Sequence, residues 1–292
     1  MKWDESQASG NVEDRRGMKA GPLAAGGGIL SLIIAAGAYF ILGLNPQQAQ
    51  QLGQAVGGQV NKGAAQGENK EAPDDRVRKF AKTMIGFNDE VWKVELPKQG
   101  FKYVNAKGVI FDQAQVQSGC GMAPSAAGPF YCPADKTLYY NPAFFVELEQ
   151  KLGGSAADFS QAYVIAHEIG HHVQNLNGYS ARVDAKRGSR QENDYSVRLE
   201  LQADYIAGAW AYHAHKRFQI LERGDVEAAL KSADAIGDDR LQSRNGSFAR
   251  PESFTHGTSA QRKKWFKKGY DTGDVSKKAL DVFFDAGSSQ EL

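Results

Sequence analysis

The stretch Ala162-Tyr-Val-Ile-Ala-His-Glu-Ile-Gly-His-His-Val-Gln174 decides how the rest of the chain is read. It carries His167, Glu168 and His171 in a His-Glu-x-x-His pattern. On an α-helix, residues four apart share a face and stand about 6 Å apart along the axis. His167 and His171 can therefore turn two imidazoles toward one divalent cation. Glu168, one step round, can reach a water there without ligating. A catalytic zinc needs two such nitrogens, a third protein ligand and an open position for water. Glu168 and His172 are also four apart and form a rival pair, but two imidazoles suit zinc better, which leaves His172 to support the ligands from behind or to play a structural role.

The helix itself is legible. Phe159, Ala162, Tyr163, Ala166, Ile169, Gly170 and Val173 fall on one apolar face at 3.6-residue spacing. Ser155 or Asp158 can cap its start, and Asn177-Gly178 can end it. The third ligand is sought in Arg198-Leu-Glu-Leu-Gln-Ala-Asp-Tyr-Ile-Ala-Gly-Ala209, inside an apolar-periodic run from Tyr195 to Phe218. Glu200 and Asp204 are four apart, so by spacing alone either carboxylate can face the metal. Ala203, Ala207 and Gly208 keep the neighbouring surface small enough for another helix to pack close. A Glu can ligate zinc, and an Asp one turn on can hold a ligand imidazole by its other ring nitrogen. His213 and His215 lie roughly 20 Å further along the same helix, too far to join the site. His256, in Thr255-His-Gly-Thr-Ser259, is either a donor to a developing oxyanion, a role a tyrosine could also fill, or a loop histidine satisfied by backbone.

His-Glu-x-x-His followed by Glu-x-x-x-Asp resembles the gluzincin metallopeptidases. More specifically, the chain is similar to the bacterial neutral zinc metallopeptidases of the YpfJ type. The likeness runs through Asn11-Val-Glu-Asp-Arg-Arg16, Ser118-Gly-Cys-Gly121, Gly128-Pro-Phe-Tyr-Cys-Pro-Ala-Asp135, Ala235-Ile-Gly-Asp-Asp-Arg-Leu-Gln242 and Ser253-Phe-Thr-His-Gly-Thr-Ser259. The resemblance implies a membrane-anchored zinc endopeptidase with an α+β, zincin-like domain and one Zn²⁺ per chain. It assigns His167, His171 and Glu200 to the metal, Glu168 to general-base catalysis, and Asp204 to a hydrogen bond with a ligand histidine. A zinc-stabilised tethered binding module without turnover is the alternative, and an envelope interaction protein with neither metal nor catalysis is a third.

Taken in order, residues 1–21 are polar and read as a disordered cytoplasmic tail. Pro22–Leu44 is uncharged and mostly apolar, and its 23 residues suffice to cross a bilayer, which takes roughly 20. No small-x-small cleavage site follows it, so it reads as an uncleaved signal-anchor in the bacterial inner membrane. Arg15, Arg16 and Lys19 precede it and no basic residue follows until Lys62, which places the N-terminus in the cytoplasm and the catalytic domain outside it. Residues 45–73, rich in Gln, Gly and Ala, read as a flexible tether. The metallopeptidase domain spans 74–292.

Within that domain a helix is predicted over Asp75–Ile85, continuing to Leu96 after a break at Gly86. Strands are predicted at Lys102–Val104, Gly108–Asp112, Phe130–Cys132 and Thr137–Asn141, the last as the edge along which an extended peptide substrate pairs. Helices follow at Pro142–Leu152, Asp225–Ile236, Ser259–Tyr270 and Ser276–Phe284, with Tyr179–Glu192 and Asp238–Pro251 irregular. Cys120 and Cys132 are the only cysteines, and outside the cytoplasm an even pair favours a disulfide. The chain has 35 basic and 34 acidic residues, which argues against a dedicated nucleic-acid binder. Lys263, Lys264, Lys267 and Lys268 read as a solvated helix face.

Overall fold

Strands β2 (Lys107–Ile110) and β6 (Thr137–Tyr140) bury nearly every residue, the pattern of strands covered on both faces. They pair in parallel. Strand β1 (Val12–Asp14) lies parallel to the outer side of β2, and β5 (Phe130–Cys132) runs antiparallel to β6, giving the order β1-β2-β6-β5. Strands β3 (Gln115–Ser118) and β4 (Gly121–Pro124) form a separate hairpin. Side chains alternate across the sheet as the two-residue period requires. Ile110, Leu138 and Tyr140 join the helical core, whereas Val109, Phe111 and Tyr139 pack with Val116 of the hairpin. Cys120 and Cys132 are bonded, tying the hairpin turn to β5. The molecule is α+β, as expected. The computed structural model describes residues 1–18, 75–244 and 250–292.

Helices α1 (Arg76–Lys98), α2 (Ala143–Leu152), α3 (Asp158–Leu176), α4 (Tyr179–Asp184), α5 (Glu192–Phe218), α6 (Asp225–Ala235), α7 (Asp238–Arg244), α8 (Ser259–Thr272) and α9 (Lys277–Asp285) complete the fold. The 27-residue α5 is central, contacting α1, α3, α4, α8 and α9. Its closest partner is α8, and the reason is reciprocal. A Cβ at Gly208 would collide with the Phe266 carbonyl oxygen, and one at Gly269 with that of Tyr205. Two glycines thus let the helix backbones touch. Gly170 on α3 does the same, more gently, against Ala203 of α5, where a Cβ would stand 3.2 Å from the carbonyl oxygen.

Several expectations need correction. Residues 1–18 are not a detached tail. Trp3 Nε1 donates to Asp158 Oδ2 at 2.9 Å, Ser9 N to Lys82 O at 2.9 Å, Gly108 N to Asn11 O at 2.9 Å and Arg15 N to Ile110 O at 2.8 Å. Arg16 grips Asp75 with two nitrogens, at 2.8 and 3.0 Å. Gly86 does not break α1. Its missing side chain makes room for the Gln7 carbonyl of that N-terminal segment.

Strand β6 is flanked on both sides, so it is not an edge, and β5 is the edge on that side. Lys102–Val104 is not a strand, α4 and α7 arise where irregular chain was expected, and the β3–β4 hairpin adds two strands that were not predicted. The apolar stretch Pro22–Leu44 and the linker lie outside the described residues. Among the described residues no helix is long and apolar enough to cross a membrane.

Candidate metal centre

The motif helix α3 and the central α5 cross where both are smallest. Gly170 lies between His167 and His171, and Ala203 between Glu200 and Asp204, so their contact brings the two faces together. Glu200 Oε2 lies 3.1 Å from His167 Nε2, and its Oε1 lies 3.4 Å from His171 Nε2. Ligand atoms about 2.0–2.1 Å from a tetrahedral zinc stand about 3.3 Å apart, close to the distance from each Glu200 oxygen to its imidazole. Glu168 also has a carboxylate oxygen within 4.8 Å of both imidazoles. Glu200 is closer to each of them and reaches the pair with one oxygen apiece.

The ring nitrogens on the far side are engaged, which fixes the tautomers. His167 Nδ1 lies 2.9 Å from Asp204 Oδ1 and donates to it, so Nε2, on the Glu200 side, is the nitrogen left to bind a metal. His171 Nδ1 faces Gln174 Oε1 at 2.8 Å. That amide is oriented by its own donor, since Gln174 Nε2 bonds Leu199 O at 2.7 Å and Gln202 Oε1 at 2.9 Å. One imidazole is thus backed by a carboxylate and the other by a neutral amide. Gln174 was missed in the sequence. Its only signal is a position three residues past His171 on the same face.

Asp204 is fully buried and accepts from four donor atoms on two helices, α3 and α8. Tyr163 Oη lies at 2.6 Å, Arg262 Nε at 2.8 Å and Arg262 Nη2 at 3.0 Å, besides His167. Burial opposes the charge on Asp204, but Arg262 and His167 override it and hold the carboxyl near 2. Burial likewise opposes charge on His167, and Asp204 and Glu200 raise its pKa to about 10. His171 is raised against the same burial by Glu200, and Glu200 is held well below the usual carboxylate range, chiefly by His171 and His167. The cluster sets carboxylates against imidazoles, the donor chemistry that takes a divalent cation.

Glu168 is buried beside this group. Desolvation raises its carboxyl above the usual range, opposed by His171, His167 and the Tyr131 backbone N–H on β5. His172 points the other way, with Nδ1 2.9 Å from Tyr131 Oη and Nε2 2.9 Å from Val104 O, so it stands outside the cluster. His213 and His215 are also elsewhere, engaged with Gly273 O and Leu221 N. His256 approaches from the loop before α8, close enough for Glu200 to raise its pKa. It is held by Asp238, which sequence reasoning did not single out.

The family described as "Putative neutral zinc metallopeptidase" matches residues 1–280. The Escherichia coli (strain K12) protein printed as "Uncharacterized protein YpfJ" is 39% identical over 288 residues, covering 94% of this chain and 96% of that one. The Mycobacterium tuberculosis (strain H37Rv) protein "Uncharacterized protein Rv2575" is 45% identical over 195 residues, 64% of each chain. No solved structure matches. With a family match over nearly its whole length and the donor cluster just described, the chain belongs to the putative neutral zinc metallopeptidase family.

Proposed function

We propose that the protein is a zinc-dependent endopeptidase with one Zn²⁺ per chain, held by His167, His171 and Glu200. The observation that carries this reading is the pair of Glu200–imidazole distances, 3.1 and 3.4 Å, with both opposite Nδ1 atoms already engaged. When bound, the ion would supply Lewis acidity, polarising the scissile carbonyl and lowering the pKa of a water toward about 7. Glu168, made more basic by burial, takes the water's proton as the carbonyl carbon is attacked and passes it to the leaving amine. His256 donates to the carbonyl oxygen as negative charge gathers there. Asp204 and Gln174 keep Nδ1–H on the two ligand imidazoles throughout.

The substrate would lie extended along β5. That strand is an edge, contacts α3, and presents the Tyr131 backbone beside Glu168, so main-chain pairing would carry a peptide past the base. The gluzincin assignment and a membrane attachment through Pro22–Leu44 belong to this reading, but not a single crossing of the bilayer with the N-terminus in the cytoplasm, since β1 pairs with β2. An extracytoplasmic domain belongs to it as well, which the Cys120–Cys132 disulfide supports because such bonds persist in oxidising compartments.

Zinc analysis of the purified full chain and a peptide-library digest, run beside Glu168→Gln, test the proposal. Zinc near one per chain in both proteins is expected, with cleavage lowered at least ~10²-fold in the variant. Equal cleavage by the two would remove Glu168 from the mechanism, and a parent chain holding no zinc would remove the mechanism altogether.

A further inference from the structure

Helix α8 carries lysines on its exposed face, but its buried stripe, Ser259, Arg262, Trp265, Phe266 and Gly269, contains one cation. Arg262 is only 3% exposed and faces Asp204, which is 0% exposed. Its Nε and Nη2 take the two carboxylate oxygens separately, at 2.8 and 3.0 Å. This two-point grip fixes the carboxylate plane, which a single ammonium cannot do. Nη2 also reaches Tyr163 Oη at 3.4 Å, and Nη1 reaches Ile236 O at 3.4 Å, two residues before Asp238. One guanidinium thereby links the carboxylate behind His167 to the segment that leads to the His256 loop.

The requirement for it is physical. A carboxylate taken wholly out of water without a counter-charge is strongly disfavoured. Tyr163 is neutral, and a metal-ligating His167 would be neutral too, which leaves Arg262 as the counter-charge to Asp204. Rotation about the Asp204 side chain would also move Oδ1 off His167 Nδ1, and with it the direction of the Nε2 lone pair. His171 has no such dependence, because its Nδ1 is held by the neutral Gln174.

We propose that Arg262 is a positioning residue for the metal site, acting through Asp204 to aim His167, so that zinc affinity depends on a residue remote from the metal itself. This rests on the zinc-peptidase reading. The side of the site it governs is the His167 side alone.

The test uses full-length protein stripped of metal and titrated with Zn²⁺ against a competing chromogenic chelator, for the parent chain, Arg262→Lys, Arg262→Gln, Asp204→Asn and the Asp204→Asn/Arg262→Gln double variant. Metal-free thermal unfolding and the Co²⁺ absorption spectrum are recorded beside each titration. Arg262→Gln should weaken Zn²⁺ binding roughly 10–100-fold, the scale for residues that orient ligands, and Arg262→Lys should fall between it and the parent. The Co²⁺ band should shift in the same order at temperatures where the metal-free protein is folded. In the Asp204→Asn background, Arg262→Gln should add nothing, since a residue acting through another shows no further effect once that one is gone.

Should Arg262→Gln not fold, the charge-preserving Arg262→Lys and the double variant, which leaves no buried unpaired charge, decide the matter. Zinc affinity within twofold of the parent in Arg262→Lys, or additive losses in the double variant, would overturn the proposal. A parent chain that binds no zinc would instead overturn the peptidase reading on which it rests.

Discussion

Asp238 holds His256 from both ends. Its Oδ2 accepts the backbone N–H groups of Thr255, His256 and Gly257 at 2.7, 2.6 and 3.1 Å, and its Oδ1 stands 3.2 Å from His256 Nδ1. Nδ1 is thereby occupied and Nε2 is left as the donor end. Burial opposes charge on this imidazole, but Asp238 and Glu200 raise its pKa, so it remains a cationic donor further up the pH scale than an ordinary histidine. His256→Ala should lower kcat roughly 10²–10³-fold while retaining zinc and changing KM little. The alkaline fall in kcat should vanish with it, because a group of raised pKa donates below that pKa and stops donating above it. A variant with parental kcat would return His256 to the loop.

The Cys120–Cys132 bond joins the hairpin turn to the strand that carries Tyr131 past Glu168. Closing a loop of this size contributes about 3 kcal/mol in the chain-entropy model. The Cys120→Ser/Cys132→Ser pair should lower stability by about that amount and loosen peptide binding through a higher KM, with zinc content unchanged. Intact protein should weigh two hydrogens less before reduction than after. Two freely alkylatable thiols in unreduced protein would contradict this.

Asp89 supplies a pH signature unrelated to the metal. Its Oδ1 accepts Tyr103 Oη at 2.6 Å and Ala106 N at 3.1 Å, and burial raises the carboxyl from 3.8 to about 6. The folded chain therefore binds this proton more tightly than the unfolded one. The group's contribution to stability grows as pH falls through 6 and is complete near 3.8. Asp89→Asn keeps both hydrogen bonds and removes the proton. The stability difference between parent and variant should move in the parent's favour by on the order of 2–3 kcal/mol between pH 7.5 and pH 4. Zinc loss in acid affects both proteins and cancels. A pH-independent difference in thermal unfolding would exclude the shift.

Strand β1 also bears on sidedness. The charge asymmetry around Pro22–Leu44 predicts the N-terminus and the domain on opposite sides of a membrane, yet Val12–Asp14 is hydrogen-bonded to β2, and Arg16 is paired with Asp75. Cysteines introduced at exposed Gly10, where a side chain meets no atom within 4 Å, and at exposed Lys278 should label alike with a membrane-impermeant maleimide in intact cells. Opposite labelling of the two would dismiss this placement of β1.

What could be read from the chain alone was local. His167 and His171 were visible because one helix carries both, and Glu200 and Asp204 because another does, each at a spacing of four. Gly170 was read as part of an apolar face. That it sets the distance to Ala203 needs the partner helix. Arg262 and Asp238 were hidden because each meets its partner from a distant segment, and a lone arginine among lysines carries no periodic signal. Strand β1 has three residues, of which only Val12 is apolar, too short for any alternation to show. The break expected at Gly86 followed the general cost of glycine in a helix. What the general rule omits is that another backbone occupies the place of its side chain.

That same contact sets an order of assembly. Residues 1–18 leave the ribosome before α1 and β2, from which their seat is built. The chain's opening segment must wait unpaired until the rest of the sheet exists, then close over Gly86 and along the outer side of β2. A soluble fragment cut at the start of α1, the natural choice for expression, would therefore be a protein lacking an edge strand. It would expose Gly108 N and Ile110 O, which bond Asn11 and Arg15 in the whole chain, and offer that bare edge to its neighbours. Purification of this protein is better begun from a chain that keeps residues 1–18.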